Sequence, residues 1–165
     1  MWYNLRMSIC KVTIDGSLPR TLGLTKSELK SAAVFFAEKS SARIGVPFRA
    51  VTVVLQDDAF SAETHAAING VEGPTDVTTQ GYDAMPPEPE GIYGELYVNV
   101  DQAVRVAPKR KDWSVAKELF LYVAHGMDHL SGVGHKPAGS EVDTPLDYGD
   151  YYFLEALLRF RKISE

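Results

Sequence analysis

The sequence predicts an α+β domain, a small sheet of about four strands with helices packed on it. Three observations carry that prediction. Short alternating or valine-rich stretches recur between stretches whose apolar residues follow helical spacing. One stretch, Trp113 to Leu130, is apolar nearly all round between Leu119 and Ala124, as expected of a helix buried in a domain. The 165 residues show no evident linker, repeat or low-complexity tract, and 45% are hydrophobic, so residues 1–165 are expected to form a single domain with a real core.

Taken in order, Met7 to Ile14 alternates loosely and reads as a strand, with Cys10, Val12 and Ile14 on one face and a turn at Asp15-Gly16. Thr25-Lys26-Ser27-Glu28 has the form of a capping box and starts a helix. Leu29, Ala32, Ala33, Phe36 and Ala37 make its buried stripe, and Gly45 and Pro47 stop it. Phe48 to Gln56 is rich in valine and reads as a strand. Ser61 to Asn69 reads as a short helix with Ile68 inward, and His65 in it as a surface residue. A loop over Gly70 to Thr75 precedes a short strand near Asp76 to Gln80. Tyr82 to Gly91, with three prolines, is expected to be an exposed loop. Tyr93 to Val100 alternates as a strand, and Asp101 is expected to cap a short helix ended by Pro108. After the central helix, Ser131 to Asp143 reads as a glycine-containing loop. Thr144 then caps a last helix whose core face is Leu146, Phe153, Leu157 and Phe160.

The central helix runs into HGMDHLSGVGH, residues 125–135, which holds three of the four histidines. His125 and His129, four apart, share a helix face and can reach one point. Gly132 allows the chain to turn, so His135 can swing back to the same place. Three neutral imidazoles with a fourth position open is the layout of a catalytic Zn²⁺ site, although Ni²⁺ or another divalent transition metal also suits that donor set. The spacing matches the metzincin pattern H-E-x-x-H-x-x-G-x-x-H, except that Gly126 stands where that pattern has its general-base glutamate. Ordinary metalloprotease chemistry is therefore disfavoured. Asp128, between the first two histidines, reads either as a solvent-facing residue or as an acceptor for an imidazole N–H. Glu118 lies about two turns before His125 on the same face, or pairs with a lysine.

The segment VAHGMDHLSGVGH resembles the V-x-H-G-x-L-H-L-x-G-Y-D-H signature of the YbeY family. Ile68 to Thr79, IN…PTDVTT, is similar to the family's L-N-x-x-x-R…P-T-D-V-L-S-F, and Gly94 to Ala107, GELYVNVDQAVRVA, to L-G-D-I-V-I-S-x-D-x-A-x-x-Q-A. The resemblance implies a small mixed sheet with a zincin-like metal helix in its centre. It also implies a zinc-dependent hydrolase of the endoribonuclease type in rRNA maturation, in which a metal-activated water attacks a phosphodiester. His125, His129 and His135 are then the metal ligands, Asn69, Thr75 and Asp76 fall in the substrate-binding motif, and single-stranded or ribosomal RNA and the ribosome are the implied partners. The chain departs from the pattern in that motif. Its loop is shorter and lacks the arginine expected to hold phosphate, and Glu72 sits roughly where positive charge is expected. A carboxylate there repels a phosphodiester at short range; in its own right Glu72 is a candidate general base. Two alternatives stay open: a metal-binding protein of this fold that has lost RNA cleavage and serves as a ribosome- or partner-binding module, and a zinc amidase or protease.

Composition adds limits. A net charge of −5 counts against nucleic acid as an automatic partner, because phosphate contacts need local lysine and arginine; Arg105 with Lys109, Arg110 and Lys111 is the one dense basic patch. No apolar run reaches the ~18 residues of a membrane span, and the N-terminus lacks a signal peptide's apolar core. A lone cysteine, Cys10, forbids an internal disulfide and fits a reducing, cytoplasmic setting as a packed core thiol.

Overall fold

The computed structural model describes residues 9–132. His135, Gly134, Met7 and the last helix expected from Thr144 lie outside them. The first strand, β1 (Lys11–Asp15), buries Val12, and Cys10 just before it is buried too, as expected from the sequence. Helix α1 (Lys26–Ile44) begins at the capping box. The Thr25 hydroxyl accepts from the Glu28 N–H at 3.1 Å, and the Glu28 carboxylate accepts from the Thr25 N–H at 2.8 Å. Its buried face is the predicted stripe, continued by Ser40 and Ser41. Ser41 Oγ donates to the Ala37 carbonyl and accepts from the Phe48 N–H, which joins the end of the helix to the next strand.

That strand, β2 (Phe48–Gln56), pairs parallel with β1. A register shift between Phe48 and Ala50 turns both Phe48 and Val51 inward although they are three residues apart. Helix α2 (Asp58–Asn69) starts three residues earlier than expected because Asp57 caps it, accepting from the Phe60 N–H at 2.9 Å. Ile68 is half-buried. Strand β3 (Val77–Tyr82) follows, and β4 (Ile92–Asn99) returns through the exposed proline loop. The order is β1-β2-β4-β3, with β2 and β4 parallel and β3 antiparallel to β4 at the edge, a mixed sheet of four strands.

Helix α3 (Val100–Val106) is capped by Asn99, which accepts from the Gln102 N–H at 3.1 Å, and not by Asp101. The strand runs directly into the helix, so the cap falls on the fully buried strand residue, while Asp101 accepts from the Asp58 N–H instead. Pro108 lies inside a short 3₁₀ turn, Ala107–Lys109. Helix α4 (Val115–Leu130), capped by Ser114, lies against β3, β4 and α1. Glu118 is buried in its first turn, where Trp113 Nε1 donates to it at 2.6 Å, Arg110 stands 3.7 Å away and the Tyr122 hydroxyl also bonds to it, so its partners are these rather than a lysine. Leu29, Phe36, Phe48, Leu96, Leu119 and Met127 fill the space between sheet and helices.

Two glycines set how closely α4 approaches the sheet. A Cβ on Gly126 would lie 2.5 Å from Leu96 Cδ2 and 3.1 Å from Val77 Cγ2. A Cβ on Gly94 would lie 2.6 Å from Leu130 Cδ2 and 2.8 Å from the Gln80 carbonyl oxygen. All four distances are below van der Waals contact, so the last two turns of α4 rest on β3 and β4 only because neither position carries a side chain.

Candidate metal centre

His125 and His129 stand one turn apart at the end of α4, and the helix delivers both rings to one place. Their Nε2 atoms are 2.5 Å apart, and the rings stack with centroids 4.5 Å apart and planes 18° from parallel. That separation is shorter than the ~2.7–3.2 Å of an ordinary hydrogen bond from nitrogen. Two nitrogen lone pairs meeting so closely repel unless a proton lies between them; two donor nitrogens ~2.0–2.1 Å from one tetrahedral Zn²⁺ stand about 3.3 Å apart, so the rings converge on one point and must part slightly to hold an ion there. Imidazole donors suit Zn²⁺, Ni²⁺, Co²⁺ and Cu²⁺. Among the described residues no group of three or more metal-ligating side chains comes together, and the third ligand expected from the sequence, His135, lies outside them.

His129 lines a cleft of about 410 Å³ between β3 and the end of α4, with Asn69 and Thr79 among the other lining residues. Of the residues singled out as substrate-binding, Asn69 thus reaches the cleft. Asp76 does something else: its Oδ2 faces His125 Nδ1 at 3.9 Å, on the side of the ring away from His129. Thr75 is tied to α2, its N–H donating to Ser61 Oγ at 3.1 Å and its carbonyl accepting from the same hydroxyl at 3.0 Å. Glu72 is exposed in the loop and is not among the residues lining the cleft. His65, read from the sequence as a surface residue, is half-buried, with Nδ1 2.8 Å from the Gly73 carbonyl oxygen, and so holds that loop to α2.

Asp128 is half-buried rather than solvent-facing and pairs with Arg43 of α1 at 2.5 Å. Among the described residues Asp76 is a carboxylate that faces an imidazole, which periodicity could not reveal because it depends on how a loop meets a helix. Gly126, read from the sequence only as a missing glutamate, has a packing reason: its position faces Leu96 and Val77 with no room for a side chain.

Over residues 21–143 the chain matches the family model described as "Endoribonuclease YbeY". This chain belongs to the YbeY family. Relatives named Endoribonuclease YbeY include one from Moorella thermoacetica, 32% identical over 125 residues that cover 70% of this chain and 80% of the relative. Another, from Mycolicibacterium smegmatis, is 30% identical over 79% of this chain and 75% of its own. The solution structure of TM1509 from Thermotoga maritima superposes with a TM-score of 0.56 at 22% identity, covering 93% of each chain, and shares the fold. The resemblance read from the histidine segment and its two companion segments is therefore borne out, as is the α+β architecture of the YbeY fold.

Proposed function

We propose that this chain is a metal-dependent endoribonuclease acting on single-stranded RNA in rRNA maturation, with zinc held by His125, His129 and His135. Family membership supports the RNA-cleaving class, since the relatives carry the name Endoribonuclease. The observation that carries the metal assignment is the convergence of His125 Nε2 and His129 Nε2, with His129 lining the cleft. A bound zinc ion supplies an activated water, with a pKa of about 7, and polarises a phosphoryl oxygen. The chain's own residues supply the rest. Helix α4 fixes the two rings, Asn69 offers an amide to a substrate in the cleft, and the apolar surroundings of Leu119 to Ala124 keep the helix dry and rigid behind the rings. Gly126 offers no proton acceptor, so a base must come from another segment.

A second reading, a metal-binding member that no longer cuts RNA and binds the ribosome or another partner, is favoured by one observation. Among the described residues no lysine or arginine lines the cleft, and the loop where the family pattern has its arginine carries Glu72. One experiment separates the readings: zinc content and cleavage of a panel of single-stranded RNAs, with EDTA and His129→Ala as controls. Zinc bound by the parent and lost in His129→Ala, together with EDTA-sensitive cleavage, supports the nuclease. Zinc bound with every RNA left intact supports the second reading. Parent-like zinc content in His129→Ala removes the site on which both rest.

A further inference from the structure

The carboxylate of Asp76 is held before it meets anything in the cleft. Its Oδ1 accepts from the Val77 N–H at 2.7 Å and from the Thr75 hydroxyl at 3.1 Å. Its backbone carbonyl accepts from the N–H of the fully buried Asn99 at 2.9 Å. Thr75 is in turn fixed to Ser61 of α2. Two strands and a helix thus lock the residue, and Oδ2 is left facing His125 Nδ1 at 3.9 Å. That gap is too wide for a hydrogen bond and too narrow for a bridging water, and a modest turn of the half-exposed imidazole closes it.

We propose that Asp76 is a positioning residue that keeps the proton of His125 on Nδ1 and so leaves the Nε2 lone pair free at the point shared with His129. A neutral imidazole has one donor nitrogen and one acceptor nitrogen, and an ionised carboxylate only accepts. The nitrogen facing Asp76 is therefore the protonated one. The opposite nitrogen becomes the electron-pair donor, and it is the one that meets His129. A carboxylate behind a ligand imidazole also raises the basicity of the donor nitrogen. On this assignment Asp76 acts through His125 and does not touch substrate.

The arrangement makes an unusual prediction for Asp76→Asn. The Val77 N–H has to donate to whatever occupies the Oδ1 position, so the amide oxygen of the asparagine stays there. Its NH₂ then turns to His125 Nδ1. A donor now faces that nitrogen, and the ring must carry its proton on Nε2 instead. The substitution reverses the tautomer rather than merely weakening a contact. The test is ¹⁵N–¹H correlation NMR of the His125 ring in the full chain without metal, about two units above the ordinary imidazole pKa of about 6.5. The parent is expected to show Nδ1–H and Asp76→Asn to show Nε2–H. Zinc affinity, by competition with a chelator, is expected to fall roughly 10–100-fold in the variant. A parent ring protonated on Nε2 overturns the proposal without any variant being needed, as does the same tautomer in both proteins. Only the zinc arm rests on the metal site proposed above: a parent that binds no zinc defeats that site, while the tautomer still decides the role of Asp76.

Discussion

The half of the domain built from β1, α1 and β2 and the edge built from β3 and the end of α4 are held together in different ways. In the first, apolar stripes meet face to face. Leu29, Ala33, Phe36 and Ala37 of α1 and Phe48, Val51 and Val53 of β2 are all essentially inaccessible. In the second, the chain is placed by single contacts: Ser61 to Thr75, Asp76 to Val77, His65 to Gly73, and two glycines that let a helix touch strands. The first arrangement tolerates variation as long as volume and pattern are kept, whereas the second depends on particular atoms. Rigid burial supports the platform, and specific polar contacts aim the side chains that stand on it.

The largest effect should come from a buried residue that serves both regions. Leu96 is fully buried in β4 and touches the Gly126 position, so Leu96→Ala should cost about 2–5 kcal/mol in urea unfolding. A loss below about 1 kcal/mol would show that the two halves are coupled less than the packing indicates. Gly126→Ala comes next. Its methyl can fit only if Leu96 or α4 moves, so a destabilisation of about 1–3 kcal/mol and a change in the imidazole resonances of His125 and His129 are expected. Unchanged resonances would mean that Leu96 turns aside and the approach of the helix does not set the rings.

Cys10 tests the buried half through pH. Burial, reinforced by Glu38, pushes its thiol up to about 11. The folded state therefore holds the proton after the unfolded chain, with a thiol pKa of about 8.5, has released it. Stability from this group is complete below about pH 8.5 and is lost as pH rises toward 11. The expected loss is on the order of 2 kcal/mol. Urea midpoints over that range should fall for the parent and fall less for Cys10→Ala. Thr25→Ala is the smallest change. Removing the capping hydroxyl should cost about 1 kcal/mol and leave the histidine resonances as they are, since α1's start is remote from the cleft.

The same contrast explains what could be read from the sequence. The stripe of α1, the bounds of β2 and the capping box are periodic or local features, and the structure reproduces them. The convergence of His125 and His129 was legible because spacing on a helix is itself geometry. Asn99 rather than Asp101 as the cap of α3, the partnership of Asp128 with Arg43, and the approach of Asp76 to His125 were not legible. Each depends on which segment arrives from far along the chain, and no local pattern encodes that. The strand order had the same status, since periodicity yields strands without neighbours.

The close packing at residue 126 also limits which chemistries this helix can be engineered toward. Peptidase helices of the related spacing place a proton acceptor immediately after the first histidine. Here that site is taken by the tips of Leu96 and Val77. A redesign that adds Gly126→Glu alone would pry the helix off its strands and disperse the ligands it meant to assist. It becomes feasible only together with shortened side chains at 77 and 96, so a gain of peptide-cleaving function requires at least three coordinated substitutions.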